Sequence, residues 1–357
     1  MKLIIDVGHP AHVHLFKNFA RTMLQKKNSV LFTCREKEMT RQLLEHHNFE
    51  YVSFGKPFHG KTGKIWGLFK FNAKLYKIAR TYKPDLFLSH GSMYAAHVSS
   101  LLRKPHISME DTGNKEQIRF YKPFTDTILT SYSFKPDLGK KQIRYNGYHE
   151  LAYLHPNTFT PDASVKEKLG TINDSPYVIL RFVSWGATHD SGHQGISLEN
   201  KFRTVKEFSK YAKVFISSEA SLPAELEQYR FPIEPRYMHD ALAFAALLYG
   251  ESGTMASESA MLGVPAVYLD NTGRYYTTEL EEKYRLVFNF SESPEDQERA
   301  IQKGIELLQN SGTGIRKEWR ERRQNMLNHT IDVTAFLVWF VENYPKSKTM
   351  NYSSLRS

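Results

Sequence analysis

The sequence predicts an α/β protein of two doubly wound, Rossmann-like domains facing a central cleft. Three observations carry that expectation. Short apolar runs of strand length alternate with amphipathic stretches of helix length, the pattern of parallel sheets covered by helices. The chain has 357 residues, more than one core usually holds, so two domains of about 150–180 residues are expected. The stretch HPNTFTP at 155–161 has two prolines and no apolar periodicity, and it reads as a linker. The expected layout is 1–155, then 156–330, then a helix at 331–345 that packs back on the first domain, then a flexible tail at 346–357.

The elements of the first half follow in order. Residues 3–7 are a short apolar strand, 8–14 a turn, and an amphipathic helix runs to about 26. A strand at 30–34, a helix at 38–47, a helix at 64–82, a strand at 84–89, a helix at 94–102 and a strand at 106–109 come next. The last strand is expected at 125–131. In such sheets ligands bind beyond the carboxyl ends of the strands, so the exit turns are the places to look. The first exit turn holds His9, His12 and His14. Three imidazoles can bind a metal. The alternative is that one assists a substrate while the others cap the helix or pack. No carboxylate cluster accompanies them, and no metal is expected. Later exit turns hold His90-Gly91-Ser92 and Glu110-Asp111-Thr112-Gly113-Asn114. Glu110 and Asp111 can act as a general base on a substrate hydroxyl, or they are solvated loop carboxylates that cap a helix.

The stretch at 64–82 interleaves Trp66, Phe69, Phe71, Tyr76 and Tyr82 with lysines and Arg80. A basic aromatic helix can lie on an anionic membrane. Equally, it can bury its aromatic stripe in the core and leave its lysines in water.

The second half begins with a helix at 162–169 and a strand at 177–182. Arg181 ends this apolar strand. A charge there must be paired or at the surface, and a bidentate phosphate contact satisfies it. His189, Asp190, Gly192 and His193 have a metal-like spacing, with a polar loop as the other reading. A strand at 214–219 and the segment FPIEPRYM at 231–238 lead to a helix start at 239.

The most informative stretch is a strand at 245–249, a polar turn at 250–254, a helix at 255–262 and a second strand at 266–269. Gly253 lets the backbone approach a ligand closely. Ser252 and Thr254 add hydroxyls, and the helix that follows aims free N–H groups and its positive dipole end at the same point. That is a phosphate site in physical terms. Glu258 lies one turn further along the same face, where it can accept hydrogen bonds from ribose hydroxyls. The plainer reading is an ordinary strand-to-helix turn capped by Ser252 or Thr254. Arg274, in the next exit loop, can contact phosphate or acceptor.

The string Glu251, Ser252, Gly253, Thr254, Ser257, Glu258, Gly263 and Pro265 resembles the nucleotide-sugar signature of GT-B proteins, similar to that of the non-hydrolysing UDP-N-acetylglucosamine 2-epimerases. The stretch from Pro84-Asp85 to Asn114 resembles the same family, and the turn after the first strand is similar in position to the glycine-rich turn of MurG-type transferases. The resemblance implies that Ser252, Gly253 and Thr254 hold a diphosphate and Glu258 the ribose. It implies that Tyr237 and Met238 lie over a uracil, core packing being the alternative. By position it makes His9 the best catalytic or phosphate-contacting candidate of its turn. One departure matters: where the epimerases carry a catalytic Asp after His-Gly, this chain has Ser92.

The expectation is a metal-independent GT-B glycosyltransferase using a UDP-sugar in cell-surface polysaccharide or glycoconjugate synthesis, with no cofactor. Its partners are a nucleotide-sugar donor and a sugar or lipid-linked acceptor. An epimerase-like isomerase and a non-catalytic nucleotide-sugar binder are the alternatives.

The composition is that of a soluble globular protein, at 41% hydrophobic and 24% charged residues. A net charge of +10 favours anionic partners. No dense Lys/Arg tract or zinc-finger spacing is present, which argues against dedicated nucleic-acid binding. Cys34 is the only cysteine, which excludes an intrachain disulfide and a cysteine-based zinc site. No signal-peptide pattern opens the chain, and the apolar stretch at 333–341 is far short of the ~20 residues that span a bilayer. The expected location is cytoplasmic. Peripheral contact with the inner face of an anionic membrane and a homodimer are left open.

Overall fold

The computed structural model describes residues 1–37, 39–56, 58, 60–171, 175–183, 194–218, 220–311, 313–350 and 352. The chain forms two compact units, Met1–Thr158 with Ile331–Ser357, and Phe159–Thr330.

In the first unit, strands and helices alternate as β1 (Lys2–Val7), α1 (Pro10–Gln25), β2 (Ser29–Cys34), α2 (Thr40–His46), β3 (Tyr51–Ser53), α3 (Lys61–Tyr82), β4 (Leu86–His90), α4 (Met93–Leu101), β5 (His106–Glu110), α5 (Lys115–Tyr121), β6 (Thr127–Ser131), β7 (Gln142–Tyr145) and α6 (Leu151–Leu154). The seven strands make one parallel sheet in the order β3-β2-β1-β4-β5-β6-β7. Its inner strands are apolar because helices cover both faces; Leu3, Ile4, Ile5 and Val7 of β1 are all fully buried. The chain winds outward from β1 to β3, then returns to pair β4 with the other side of β1. The carboxyl ends of β1 and β4 therefore flank the topological switch point, where such sheets bind ligands.

The second unit continues with α7 (Val165–Lys168), β8 (Tyr177–Phe182), α8 (Leu198–Phe208), β9 (Lys213–Ser218), α9 (Ala224–Glu227), α10 (Met238–Phe244), β10 (Leu247–Gly250), α11 (Gly253–Leu262), β11 (Ala266–Leu269), α12 (Tyr275–Tyr284), β12 (Val287–Phe290), α13 (Pro294–Gln309) and α14 (Thr313–His329). Five parallel strands pair in the order β12-β11-β10-β8-β9. Here the switch point lies between β8 and β10. Arg181 pairs with Gly250 at that point.

The chain then rejoins the first unit through α15 (Val333–Glu342). Asp332 caps this helix by accepting from the Ala335 N–H at 2.9 Å. Phe336, Leu337, Phe340 and Val341 are buried, and Thr334 donates to the Ala152 carbonyl at 2.7 Å. The helix thus seals α1 and α6. No helix among the described residues is long and apolar enough to cross a membrane.

Candidate functional site

In the second unit the chemistry gathers where β10 meets α11. Gly250 has φ +152°, and a Cβ there would overlap the Arg181 carbonyl. Only glycine fits that conformation and that approach. The turn is then fixed by Glu251, which is buried. Its carboxylate accepts from the Val183 N–H at 2.7 Å and the Ile196 N–H at 2.5 Å. One side chain therefore ties the end of β8 to the start of the α8 segment.

Ser252 caps α11, its hydroxyl accepting from the Met255 N–H at 3.3 Å. The first N–H groups of the helix, those of Gly253 and Thr254, have no intrahelical acceptor. A Cβ on Gly253 would sit 3.0 Å from Arg274 Cγ and 3.1 Å from the hydroxyls of Tyr268 and Tyr276. The helix start, one guanidinium stem and two phenols thus converge on one small residue. Burial pushes the Tyr268 phenol well up, so it stays a proton donor. Arg274 caps the loop itself, donating to the Thr272 hydroxyl at 3.1 Å and the Gly273 carbonyl at 3.0 Å. Asp270 accepts from Thr272 and Gly273. Burial raises the Asp270 carboxyl, but the Thr272 hydroxyl and Arg274 outweigh burial, and its pKa lies below the ordinary range.

Glu258 is buried one turn into α11. Its Oε1 lies 2.9 Å from Nε2 of His239, a residue that sequence reasoning passed over. The signal was present: His239 directly follows Tyr237 and Met238. These two open α10, and Lys168 and Arg236 lie 4.8 and 4.9 Å from the Tyr237 ring centre. The structure therefore pairs His239, the neighbour of Tyr237 and Met238, with Glu258, and brings Arg274 to Gly253 between Ser252 and Thr254. Arg181 stands beside Gly250 in the sheet and donates to the Ser217 hydroxyl at 2.9 Å. His189, Asp190, Gly192 and His193 lie outside the described residues.

In the first unit, His9 caps α1, its Nδ1 accepting from the Ala11 N–H at 3.2 Å. His12 Nδ1 accepts from the Gly8 N–H at 3.3 Å. Its ring centre lies 4.6 Å from that of His90. Burial, then His90, His9 and Arg35, hold His12 well below the ordinary imidazole pKa, so it is neutral. His14 packs its ring near Tyr153.

The two carboxylates at the end of β5 have opposite fates, because successive residues of a strand point to opposite sides. Glu110 was expected as a loop carboxylate facing a ligand. It is fully buried, and its oxygens accept from the Thr112 N–H and hydroxyl, the Gly113 N–H and the Tyr121 hydroxyl. It is committed to shaping the turn. Asp111 is the carboxylate with histidine partners. Its Oδ1 lies 2.9 Å from His90 Nε2, and its Oδ2 lies 3.1 Å from His149 Nδ1. Burial opposes ionisation, but His149 and His90 hold Asp111 well below the carboxylate range. Burial would lower His90; Asp111 outweighs it, and the pKa is raised. The buried Nε2 of His149 has no hydrogen-bond partner among the described residues.

From sequence, His90 was named only as part of an exit turn, and His149 was passed over. Both follow the same strand-exit rule: His90 ends β4, and His149 stands shortly after β7. The three groups have ligand atoms within 4.8 Å of one another, the one candidate metal-binding group among the described residues. Ser92 caps α4 and donates to buried Asp6 at 2.5 Å. Arg35 Nη1 pairs with both Asp6 oxygens, at 2.8 and 2.7 Å.

Solved structures share this architecture at low sequence identity. The MnaA protein of S. aureus, solved with UDP, is 12% identical with a TM-score of 0.70 over 98% of each chain. The UDP-GlcNAc 2-epimerase of Neisseria meningitidis, bound to UDP-GlcNAc, is 12% identical with a TM-score of 0.67, covering 96% of this chain and 100% of that one. The spinosyn rhamnosyltransferase SpnG is 12% identical with a TM-score of 0.59, again over 96% and 100%. The fold is thus that of the GT-B group. In sequence, the uncharacterized protein MJ0665 of Methanocaldococcus jannaschii is 26% identical over 277 residues, 74% of this chain and 80% of that protein. Residues 1–278 match the family described as "Protein of unknown function (DUF354)", and the chain belongs to that family.

Proposed function

We propose that the protein is a nucleotide-sugar-dependent enzyme, a glycosyltransferase with a UDP-sugar donor, acting in cell-surface polysaccharide or glycoconjugate synthesis. The observation that carries this reading is the start of α11: a glycine-lined helix N-terminus beside Arg274, with Glu258 one turn on and oriented by His239. A diphosphate suits the first feature, since helix N–H groups, a guanidinium and phenol donors all favour negative charge. The paired hydroxyls of a ribose suit the second. Glu258 holds one oxygen on His239. Uridine as the base is supported by the S. aureus and Neisseria structures, solved with UDP and UDP-GlcNAc.

Leaving-group charge on the diphosphate is met by the α11 N-terminus and Arg274, which are preorganised donors. Proton removal from the acceptor needs a base, for which Asp111, paired with His90 and His149, is the candidate. His149 Nδ1 lies 3.1 Å from Asp111, which is ionised. The acceptor hydroxyl loses its proton to a general base, and its oxygen bonds to the anomeric carbon. The bond from that carbon to the diphosphate oxygen breaks, and its electrons leave with the UDP. The acceptor is a sugar or a lipid-linked sugar.

Ser92 counts against an epimerase. Its hydroxyl is tied to Asp6, which is itself neutralised by Arg35, so no free carboxylate stands there to move a proton. The test is release of UDP from UDP-sugars by wild type and Asp111→Asn. Release that depends on an added sugar acceptor and is lost in the variant supports a transferase. Conversion of UDP-GlcNAc to UDP-ManNAc without acceptor overturns it in favour of the isomerase.

A further inference from the structure

The sequence of α3 is strongly one-sided in charge. Its basic residues are Lys61, Lys64, Lys70, Lys74, Lys77 and Arg80, and it contains no Asp or Glu. On a soluble surface helix, cations are ordinarily interspersed with anions that stabilise it at i,i+4. Here nothing on the helix offsets them.

The helix also separates its two apolar sets. Phe71, Leu75 and Ala79, spaced four apart, are buried in the core with Ile4, Leu31, Phe87 and Val98. That stripe is the part of α3 that stabilises the fold. Trp66 and Phe69 are not part of it. They are 64% and 66% exposed, among the most exposed large apolar side chains of the described residues. Lys70, Lys74, Lys77 and Arg80 are exposed as well. At 100° per residue, positions 66, 69, 70, 73, 77 and 80 fall on one face. Lys74 and Lys70 retain a foothold on the protein, at the Phe54 carbonyl and over the Phe58 ring; Lys77 and Arg80 carry the charge onward toward the C-terminal end of the helix. The outer face of α3 therefore reads, from its N-terminal end, as two aromatic anchors followed by a cationic strip about 15 Å long, given a rise of 1.5 Å per residue.

We propose that this face docks the protein on an anionic lipid bilayer. A tryptophan and a phenylalanine suit the headgroup boundary, where an apolar ring can sit beside polar groups. The cations suit the negative surface potential, each adding about a fivefold gain in partition. The net charge of +10 adds long-range attraction of the same sign. Buried Phe71, Leu75 and Ala79 keep the helix on the protein, so it adsorbs on the surface and does not insert. The inference does not rest on the proposed transferase activity. It would hold for any reaction, although it would favour a lipid-linked acceptor if that reading is right.

The test is co-sedimentation of the full chain with vesicles of phosphatidylcholine alone, and with vesicles of equal parts phosphatidylcholine and phosphatidylglycerol. Two variants accompany it, Trp66→Ala with Phe69→Ala, and Lys70→Glu with Lys77→Glu. All four positions are exposed, so the melting temperature should be unchanged, which checks that the variants fold. The proposal expects binding to the anionic vesicles only, weakened at high salt. The charge-reversed pair should lose at least about twentyfold, two cations at about fivefold each. The aromatic pair should lose about tenfold or more at unchanged salt dependence. Failure of the wild type to bind anionic vesicles overturns the proposal. So does equal binding to both vesicle types, or variants that bind as wild type does. Binding of a single-stranded RNA in place of vesicles, lost in the same variants, would assign the face to nucleic acid and overturn it too.

Discussion

Glu258 and His239 are joined across α10 and α11 by a 2.9 Å contact between Oε1 and Nε2, both side chains buried. A buried carboxylate needs a partner, or its desolvation is uncompensated. His239 supplies one at Oε1. Replacing His239 by Ala should therefore have two effects. It should destabilise the fold by about 1–3 kcal/mol in urea unfolding, the cost of leaving a buried acceptor unsatisfied, and it should weaken UDP. His239→Gln, which can still donate, should recover most of the stability. Equal stability of His239→Ala and wild type would show that the contact does not hold Glu258.

Gly250 and Gly253 differ in what a methyl group would meet. At Gly250 the Cβ overlaps the Arg181 backbone and φ is +152°. Gly250→Ala should cost about 3 kcal/mol or more and depress soluble expression. At Gly253 the neighbours are side chains at 3.0–3.1 Å, which can give way. Gly253→Ala should leave the melting temperature nearly unchanged and reduce nucleotide affinity, read by calorimetry.

Asp111→Asn keeps the shape between His90 and His149 and removes the charge. The expected loss of turnover is about 10²–10⁴-fold, the usual worth of general acid–base catalysis. The pH dependence of stability gives an independent reading. Asp111 has a depressed folded pKa, so its contribution is present above the unfolded carboxylate value and is lost as pH falls through the folded one. His90 has a raised folded pKa, so its contribution is full below the unfolded imidazole value and is lost as pH rises through the folded one. The pair should therefore stabilise the protein most in mildly acidic solution. The difference in unfolding free energy between wild type and Asp111→Asn should peak there and shrink above neutrality.

His106 works in the opposite direction. It is fully buried and held between the Ser89 and Thr125 hydroxyls. Burial lowers its pKa from 6.5 to about 3. The unfolded chain then binds a proton that the folded chain refuses, so this residue removes stability as pH falls from 6.5 toward about 3. The slope is about 1.4 kcal/mol per pH unit at most. His106→Asn should flatten the acid limb of the stability curve by that amount, measured by urea unfolding at a series of pH values.

The two-unit parallel architecture was legible because buried parallel strands are continuous apolar runs, as in Leu3-Ile4-Ile5 or Tyr177 to Leu180. The strands missed, β3, β7 and β12, are short edge strands, although 125–131 was expected to be the last strand of its half; β3 is half-buried throughout, β7 nearly so, and β12 carries Asn289. They lack the apolar run that the inner strands show. The phosphate-like turn at Ser252–Thr254 was legible because it is local: cap, glycine and carboxylate fall within seven residues on one turn and one helix face. The partners of Glu258 and Asp111 were not legible. His239 and His149 reach them across separate elements, and only the strand order brings them together. Glu110 and Asp111 were indistinguishable in sequence, since which one turns inward depends on where β5 ends.

The central claim is that the start of α11 binds a nucleotide diphosphate sugar. It is tested most directly by calorimetric titration of UDP and UDP-GlcNAc into wild type and Glu258→Ala. The account predicts one saturable site in the wild type and a loss of about 1–3 kcal/mol in the variant, from one removed charge-assisted hydrogen bond. Undiminished affinity in a folded Glu258→Ala would contradict the ribose assignment. No binding by the wild type of UDP, UDP-GlcNAc or any GDP-, CMP- or dTDP-sugar would contradict the nucleotide-sugar reading itself.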